Sequence, residues 1–341
     1  MTDTMRAALW TGPEQIEYAD VERPTPAANQ VLIKVAYAGI CGTDLTIYLG
    51  KHTRARAPLV MSHEFSGTVA EDPSGALPVG TPVVVNPLLM CGHCYACRNG
   101  LSHICSTLGL VGIDRDGGFA EYVAAPAHTV RPIPTSLSLQ RAALVEPLAV
   151  AVHAVSVSDL RVGDTTAVLG AGPVGILVAQ IARLAGALRV FVSEVSPKRL
   201  AIARELGFSV IDATRADPVD EILAATDGEG VPVVFESAGS QTTIFQAGRI
   251  ARLGGQILQV GMPKTAVTID MTPVMFREVR SKPIRVYREQ DVQRAIAIAA
   301  GGRVDLDRPV THILPIAELA KGLELAHAAS DACKVLIAPA V

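Results

Sequence analysis

Four closely spaced cysteines are the residues of this chain best suited to chemistry. Cys91, Cys94, Cys97 and Cys105 fall within fifteen of its 341 residues. Thiolates at this spacing can converge on one tetrahedral ion, for which zinc is the usual metal. The alternatives are an iron–sulfur cluster, whose bacterial run closes with a shorter gap and a proline, and a disulfide framework, which a long chain without a secretory signal disfavours. The spacing predicts a structural zinc lobe over residues 91–105.

A second set of potential metal ligands is dispersed along the chain and comprises Cys41, His63, Glu64 and Glu146. A thiolate, an imidazole and a carboxylate together are typical of catalytic zinc. Neighbouring strand residues point to opposite faces, so His63 and Glu64 can share an ion only if the backbone turns there. Otherwise Glu64 lies outside the ligand shell. Taken singly, each residue has an ordinary explanation, such as a core thiol for Cys41 or a helix cap for Glu146.

A glycine motif indicates a dinucleotide site. Gly170, Gly172 and Gly175, with Pro173 and Val174 between the last two, form GxGxxG after an apolar strand and at the start of a helix. The first glycine permits a tight turn, the second lets the backbone approach a pyrophosphate, and the third allows close packing of helix and strand. The N-terminus of the helix then attracts the negative charge.

The choice between the two nicotinamide cofactors depends on the end of the next strand. Glu194 follows the first glycine of the motif by 24 positions, where a carboxylate would hold the ribose hydroxyls and repel a 2′-phosphate. Lys198 and Arg199 lie close behind and offer a phosphate partner instead. We expect NAD rather than NADP. Two further strand ends are expected to line the cofactor site, at Ser237, Ala238, Gly239, Val260 and Gly261.

Composition narrows the class of protein. The net charge is −3 and no basic cluster is present, which argues against nucleic acid as a partner. The most apolar stretch, residues 166–192, is broken by glycines, a proline and an arginine, so no membrane helix is predicted. The N-terminus lacks a secretory signal, and the thiolates suit the reducing cytoplasm. Small molecules are the expected ligands.

The order of sequence patterns predicts an α/β protein of two domains. Short apolar runs separated by proline and glycine fill the first 145 or so residues and indicate an irregular β domain. Strands then alternate with alanine-rich helices, which predicts a doubly wound parallel sheet. The last residues form too short a segment for a third core. We therefore expect a β domain of residues 1–147 and 285–341, and a Rossmann NAD-binding domain of residues 148–284.

These motifs, in this order, resemble the zinc-dependent medium-chain alcohol and polyol dehydrogenases over essentially the whole chain. The resemblance implies a GroES-like catalytic domain that carries two zinc ions per chain and is interrupted by the Rossmann domain. It implies that Cys41 and His63 bind the catalytic zinc, and that Glu64 and Glu146 bind it directly or through water. Thr43 would accept a hydrogen bond from the substrate alcohol and pass its proton outward.

The substrate class also follows from the resemblance. A glutamate after the histidine, and the string EPLAVAVHA, are similar to the sorbitol, butanediol and threonine dehydrogenases. This implies oxidation of a secondary alcohol of a polyol or vicinal diol to a ketone, with hydride transfer to NAD. The alternatives are an L-threonine 3-dehydrogenase and a non-catalytic dinucleotide-binding protein with one structural zinc. The family also implies a homo-oligomer, and we expect a tetramer rather than a dimer.

Two positions depart from the pattern of those branches. Thr46 stands where a histidine usually follows the ligand cysteine by five residues, so the substrate proton must leave by another route. His52 is the nearest candidate in sequence, with an ordinary loop histidine as the alternative. Ser62 replaces a glycine that commonly precedes the ligand histidine. The loss of the relay histidine speaks against the threonine enzyme.

Overall fold

The structure is a computed structural model that describes residues 3–339. The strands are, in chain order, β1 (Thr4–Gly12), β2 (Gln15–Glu22), β3 (Gln30–Gly39), β4 (Leu59–Val60), β5 (Glu64–Glu71), β6 (Pro82–Val85), β7 (Leu88–Leu89), β8 (Gly109–Leu110), β9 (Tyr122–Pro126), β10 (Val130–Pro132), β11 (Thr165–Leu169), β12 (Arg189–Glu194), β13 (Ser209–Asp212), β14 (Val231–Glu236), β15 (Ala251–Gln259), β16 (Arg280–Pro283), β17 (Val310–Pro315) and β18 (Lys334–Ala338). The α-helices are α1 (Gly42–Tyr48), α2 (Tyr95–Arg98), α3 (Leu139–Ala142), α4 (Val145–Ser156), α5 (Pro173–Leu184), α6 (Pro197–Glu205), α7 (Pro218–Ala224), α8 (Gln241–Ile250), α9 (Met271–Phe276), α10 (Glu289–Ala300) and α11 (Leu319–Ala328).

The chain divides into two units. Among the described residues, the first unit consists of 3–146, 288–302 and 310–339, and the second of Pro147–Tyr287 and Arg303–Pro309.

Across residues 3–339, no helix is both long enough and apolar enough to cross a membrane.

The division differs from the expected boundaries at Pro147, at residues 285–287 and at Arg303–Pro309, all of which lie in the second unit. Side-chain contacts explain the last segment. The Gln180 side chain donates to the Asp305 carbonyl at 2.9 Å and accepts from the Asp305 N–H at 2.7 Å. Such non-local contacts leave no pattern in the sequence.

The main sheet of the first unit has the strand order β10-β6-β5-β3-β18-β17, with β9 also paired to β3. Strand β3 is central to this sheet. Strand β5 pairs antiparallel along one of its edges, and on the other edge β9 pairs with its first half and β18 with its last residues. Gly39, the last residue of β3, lies opposite Glu64, the first residue of β5. This register brings the chain leading to Cys41 next to the pair His63–Glu64.

The second unit is built on a six-stranded parallel sheet of order β13-β12-β11-β14-β15-β16. Helices and strands share a core of fully or nearly fully buried residues that includes Ala167, Leu169, Phe191, Val219, Val234 and Ile257. The strand order reverses between β11 and β14, and doubly wound sheets bind their ligand at this switch point. The predicted fold class, an irregular β domain combined with a doubly wound parallel sheet, is confirmed.

A polar contact ties helix α10 to the rest of the first unit. Glu289, at the start of α10, accepts hydrogen bonds from Arg131 Nε at 2.6 Å and from Asn86 Nδ2 at 2.8 Å. Burial acts to raise the pKa of Glu289, but the hydrogen bonds from Arg131 and Asn86 outweigh it and lower the pKa below its ordinary value of 4.5. The ionised carboxylate therefore stabilises the fold.

Glu289→Gln should destabilise the first unit by at most about 1 kcal/mol near neutral pH, because the ion pair is partly exposed. A carboxyl whose pKa is lowered on folding contributes stability above its unfolded value, and the contribution is lost as the pH falls through the folded value. The difference between mutant and wild type should therefore shrink below pH 4.5. Urea unfolding followed by the fluorescence of Trp10, the one tryptophan and a buried residue of the first unit, measures it.

Glu318→Gln is the matched control, because Glu318 pairs with Lys321 on an exposed surface. Its urea midpoint should equal that of wild type both near neutral pH and below pH 4.5. An equal loss of stability for Glu289→Gln at neutral and acidic pH would contradict the role of its charge.

Candidate metal centres and dinucleotide site

Cys41 lies between the end of β3 and the start of α1, where it is the N-cap residue with an extended backbone (φ −104°, ψ 160°). It is half-buried, and its thiol donates a hydrogen bond to Thr43 Oγ1 at 3.8 Å. Thr43 is also half-buried and follows the thiol closely enough to contact the same ligand.

A buried aspartate joins the two segments that carry the predicted ligands. Asp44 has no exposed surface, and its carboxylate accepts hydrogen bonds from Cys41 N at 2.8 Å and Ser62 N at 3.2 Å. Burial raises the pKa of Asp44, against the positive field of His63, which lowers it. Sequence reasoning missed Asp44. A carboxylate three residues after a helix cap, which reaches back to the N–H of the cap residue, was the available signal.

The backbone turns at the histidine–glutamate pair. Ser62, directly before His63, has a left-handed φ of 76°, and its hydroxyl donates to the Gly39 carbonyl at 3.1 Å. A Cβ on Gly112 or Gly117 would overlap the Ser62 carbonyl, so the packed loop requires glycine at both positions. Glycine suits the left-handed conformation better than serine does, which explains why glycine is the usual residue at this position, whereas here the hydroxyl bond to Gly39 helps to hold the serine.

The turn assembles three of the four predicted ligands. One ligand atom from each of Cys41, His63 and Glu64 lies within 4.8 Å of the others. Glu146 is not in this group of the described residues, although its charge acts on His63. It is half-buried in the first turn of α4. The geometry therefore offers a thiolate, an imidazole and a carboxylate, with Glu146 farther out.

The electrostatics of this cluster suit a cation. His63 is buried, and its Nδ1 has no hydrogen-bond partner among residues 3–339. Burial acts to lower the pKa of His63, but Cys41, Asp44 and Glu146 outweigh it and raise that pKa well above its usual value. The unpartnered ring nitrogen, the thiol and the acidic surroundings fit a divalent ion such as zinc.

Thr46 and His52, the two residues considered for the route of the substrate proton, both form hydrogen bonds within their own segments. Thr46 Oγ1 donates to the Gly42 carbonyl at 3.0 Å, within its own helix. His52 Nδ1 accepts from the Ala55 N–H at 3.1 Å and the Arg54 N–H at 3.3 Å, which leaves Nε2 as the nitrogen that carries the proton. Burial, with the positive charge of Arg54, lowers the pKa of His52. His52 is therefore neutral at neutral pH.

The cysteine lobe forms a second compact group. The sulfur atoms of Cys91, Cys94, Cys97 and Cys105 all lie within 4.8 Å of one another. Backbone N–H groups point at several of them, including that of Cys91 toward Cys105 Sγ at 3.4 Å. Such donors stabilise thiolates, and the N–H groups of Ser106 and Cys97 lower the pKa of the Cys94 thiol to about 5. Four sulfurs in this arrangement fit one tetrahedral zinc ion.

Turns that only glycine permits surround the predicted phosphate site. Gly170 has a φ of 99°, and a Cβ there would lie 2.9 Å from Ala238 Cβ. A Cβ on Gly175 would overlap the Gly170 carbonyl. Ser237 Oγ donates to the carbonyls of Leu169 and Gly170 at 3.0 and 2.8 Å, which fixes the turn after β11 to the turn after β14.

Helix α5 begins within this motif. Gly172 is its N-cap and Pro173 occupies its first position, where the missing N–H costs nothing. Gly172, Pro173 and Val174 are half-buried, whereas the helix from Gly175 to Ala182 is buried. The first turn therefore presents free N–H groups and a positive dipole end at the accessible end of the helix, which fits an anionic pyrophosphate.

Glu194 ends β12 as predicted, but its carboxylate already serves the backbone. One oxygen accepts from Ala171 N at 2.8 Å, and the other accepts from Val195 N at 2.7 Å and Ser196 N at 3.0 Å. These bonds fix the carboxylate next to the glycine turn. Arg199, in the following helix, lies near the same turn, because one of its guanidinium nitrogens is 3.9 Å from where a Gly172 Cβ would be.

The two remaining strand ends pack on each other. Gly239 has a φ of 64°, and a Cβ there would lie 2.7 Å from the Met262 carbonyl. A Cβ on Gly261 would overlap Gly239 N. The N–H groups of Val260 and Gly261 both donate to the Glu236 carbonyl at 2.8 Å. The structure thus brings the turns after β14 and β15 together.

Glu236 is a residue of this site that sequence reasoning missed. It is fully buried at the end of β14 and accepts from Ala238 N at 3.0 Å, Gly239 N at 2.9 Å and Thr243 Oγ1 at 2.7 Å. Burial raises the pKa of Glu236, against these hydrogen bonds and one from Gln259 that lower it. A charged residue at the end of an apolar strand was the signal in the sequence.

These features define a class of protein. A thiolate–imidazole–carboxylate cluster in a GroES-like unit, together with a dinucleotide turn in a Rossmann unit, belongs to metal-dependent dehydrogenases. Family models agree: one described as "Alcohol dehydrogenase GroES-like domain" matches residues 27–135, and one described as "Zinc-binding dehydrogenase" matches residues 173–301.

Individual relatives extend over nearly the whole chain. It is 38% identical over 323 residues to 2-dehydro-3-deoxy-L-galactonate 5-dehydrogenase of Pseudoalteromonas atlantica, covering 92% of this chain and 93% of that protein. It is 35% identical over 314 residues to L-threonine 3-dehydrogenase of Bacillus velezensis, covering 90% of each. A zinc-binding dehydrogenase of Sinorhizobium meliloti, solved with NADP bound, superposes with a TM-score of 0.92 at 33% identity over 99% of this chain and 100% of that one.

The chain belongs to the zinc-dependent medium-chain alcohol and polyol dehydrogenases. It is therefore a zinc-dependent oxidoreductase that acts on alcohols with a nicotinamide cofactor.

Asp44→Asn should weaken zinc binding at the Cys41–His63–Glu64 cluster by about ten- to a hundredfold. The amide keeps one acceptor oxygen but places an NH2 group against a backbone N–H, so one of the two segments is released. Competition with a chromogenic chelator measures the affinity. Asp72→Asn is the control, because Asp72 also accepts backbone N–H groups, those of Ser74 and Leu77, but in an exposed turn. Equal zinc affinities of Asp44→Asn and wild type would contradict the proposal that Asp44 holds the two ligand-bearing segments together.

Proposed function

We propose that this enzyme oxidises a secondary alcohol of a polyhydroxy compound or vicinal diol to a ketone, with NAD as the hydride acceptor. The cluster of Cys41, His63 and Glu64 carries the proposal, because its donor set fits a catalytic zinc. The names of the relatives support the substrate class, since one acts at carbon 5 of a sugar acid and the other at carbon 3 of threonine. Both are internal carbons of a functionalised chain.

Each residue of the cluster would have its own role in alcohol oxidation, either in metal binding or in proton transfer. Zinc, when bound, would lower the pKa of the substrate hydroxyl, and the nicotinamide would accept the hydride. Cys41 and His63 would hold the ion, and Glu64 and Glu146 would bind it directly or through water. Thr43, beside the Cys41 sulfur, would accept a hydrogen bond from the hydroxyl and pass its proton outward.

NAD is proposed over NADP because of Glu194. Its carboxylate is held beside the glycine turn by three backbone N–H groups, where it can accept from ribose hydroxyls and would repel a 2′-phosphate. Lys198 and Arg199 oppose this preference, as does the NADP bound to the relative from Sinorhizobium meliloti. The charge of Glu194 should dominate because its carboxylate accepts the Ala171 N–H within the turn itself.

We also propose a second zinc ion, held by Cys91, Cys94, Cys97 and Cys105 as a structural site. A closed shell of four thiolates leaves no open position for substrate. Six free thiols suit a reducing compartment, so we propose that the enzyme works in the cytoplasm.

L-Threonine is the second candidate substrate, because a relative at 35% identity oxidises it. Thr46 remains the feature against it, since its hydroxyl is bound within its own helix. A non-catalytic dinucleotide-binding protein is disfavoured, because one potential ligand atom from each of Cys41, His63 and Glu64 lies within 4.8 Å of the others.

Initial rates of NADH and NADPH formation from polyols, vicinal diols, sugar acids, simple alcohols and threonine test the function. We expect the highest rate with a polyol, diol or sugar acid and NAD, and two zinc ions per chain by elemental analysis. Cys41→Ser should abolish turnover and bind one zinc, because an open catalytic site tolerates no lost thiolate. Cys97→Ser should also bind one zinc but lose thermal stability.

Cys333→Ser is the control for these variants, because Cys333 is buried outside both clusters, and it should keep two zinc ions. Threonine as the best substrate would move the assignment to the amino-alcohol branch. One zinc per wild-type chain without turnover on any substrate would favour the non-catalytic protein. Faster NADPH formation would overturn the proposed role of Glu194.

The edge of the second unit supports a homo-oligomer. Strand β16 pairs with β15 and, among the described residues, with no other strand. Met271, Met275 and Phe276 of the preceding helix α9 are exposed, Phe276 by 84%. An open sheet edge next to exposed apolar side chains is typical of a protein–protein interface. We propose that this edge meets a second copy, and that the enzyme is a tetramer built from such dimers.

Phe276→Asp should reduce the assembly state, because a carboxylate would be buried without a partner in the contact. Light scattering after gel filtration measures the mass, and we expect that of the wild type to be four times that of the chain. Leu188→Asp is the control, because Leu188 is 82% exposed before the distant strand β12. An unchanged mass for Phe276→Asp, or a monomeric wild type, would exclude this interface.

A further inference from the structure

Strand β18 carries a buried lysine. Lys334 is 1% exposed, and lysines are almost never fully buried unless they are paired. Its Nζ forms an ion pair with Glu64 Oε2 and donates to the Ile40 carbonyl at 2.9 Å. Glu64 belongs to the metal cluster, and Ile40 directly precedes Cys41. Lys334 thus contacts both chain segments that lead into the cluster.

The fold leaves a space for this pair. Gly39 of β3 lies between Glu64 of β5 and Leu336 of β18 in the sheet register. A Cβ on Gly39 would lie 2.8 Å from Lys334 Cε and 2.9 Å from its Nζ, and it would overlap Glu64 Oε2. The two side chains therefore meet across β3 where that strand has no side chain of its own.

The pair limits what Glu64 can do. Its Oε2 accepts from the ammonium group, which competes with a metal ion for that oxygen and leaves Oε1 as the better ligand. Binding of both oxygens to one ion would weaken the ion pair. The positive charge of Lys334 also offsets the negative charge of Glu64 within the buried cluster.

We infer that Lys334 is a positioning residue of the catalytic metal centre, which holds back one oxygen of Glu64 and so restricts the carboxylate to a single-oxygen contact with the ion. The inference rests on the proposed function in one respect, namely that Cys41, His63 and Glu64 bind a catalytic metal. It adds to the site a fourth side chain, 270 positions away from Glu64 in sequence.

Co2+ exchanged into the catalytic site of the full chain tests this role, because its visible absorption depends on the number and geometry of its ligands. Lys334→Met keeps a similar length without the charge. In this variant Glu64 is buried without its partner, so its second oxygen should join the ion. We expect weaker, shifted visible absorption and slower loss of Co2+ to a chelator, because the second carboxylate oxygen adds a ligand to the ion. Lys334→Gln, measured in parallel, should shift the spectrum in the same direction.

If the inference is right, the effect of Lys334→Met on the Co2+ spectrum requires the carboxylate of Glu64. In a Glu64→Gln background, adding Lys334→Met should leave the Co2+ spectrum and release rate as they are in Glu64→Gln alone. Lys321→Met is the matched control, because it breaks the exposed ion pair of Lys321 with Glu318, and it should match wild type.

Two results would overturn the inference. One is a Lys334→Met protein that melts at a lower temperature but has the Co2+ spectrum and release rate of wild type, since this is the signature of a purely structural lysine. The other is an equal spectral shift with and without Glu64. The proposed function fails separately, through the substrate panel of wild type, because the Co2+ spectra do not depend on turnover.

Discussion

The assembly of the metal cluster depends on one buried carboxylate that holds two backbone segments. Asp44 accepts the N–H of Cys41 and the N–H of Ser62, so the end of one strand and the start of another are fixed at hydrogen-bond distance. The clamp reinforces the strand register, which places Gly39 opposite Glu64, and so helps to hold together a thiol and an imidazole that are 22 positions apart in sequence. The left-handed backbone at Ser62 then allows His63 and Glu64 to face the same point.

The same device recurs in the second unit. Glu194 accepts three backbone N–H groups around the glycine turn, and Glu236 accepts those of Ala238 and Gly239. In each case an acidic side chain at a strand end satisfies the donors of the next loop, because a buried N–H without a partner is costly. Loops that must bind a ligand are thereby held in place before the ligand arrives. Glycine completes the arrangement wherever one turn contacts another.

Part of the site could be predicted because its signal is local. The cysteine lobe and the glycine motif each fit within fifteen residues, and chemistry at such short spacing has few explanations. Other members had only weak signals. Asp44 is marked only by its position after a helix cap and Glu236 only by its place at the end of an apolar strand, whereas Lys334 looks like a surface charge because its partners lie on distant segments. Glu146 was a candidate from its residue type, and the resemblance implied that it binds the ion directly or through water; it lies outside the group formed by Cys41, His63 and Glu64.

The sequence by itself determined the class of fold, the cysteine lobe and the phosphate-binding turn, because periodicity, cysteine spacing and glycine spacing are local properties of a chain. Only the tertiary structure decided whether His63 and Glu64 could share an ion, since that required the left-handed turn at Ser62 and the glycines that pack on it. It also decided that Glu64 has a buried cation as partner. Strand register brings Glu64 and Lys334 together across Gly39, and register between distant strands is set by the whole sheet.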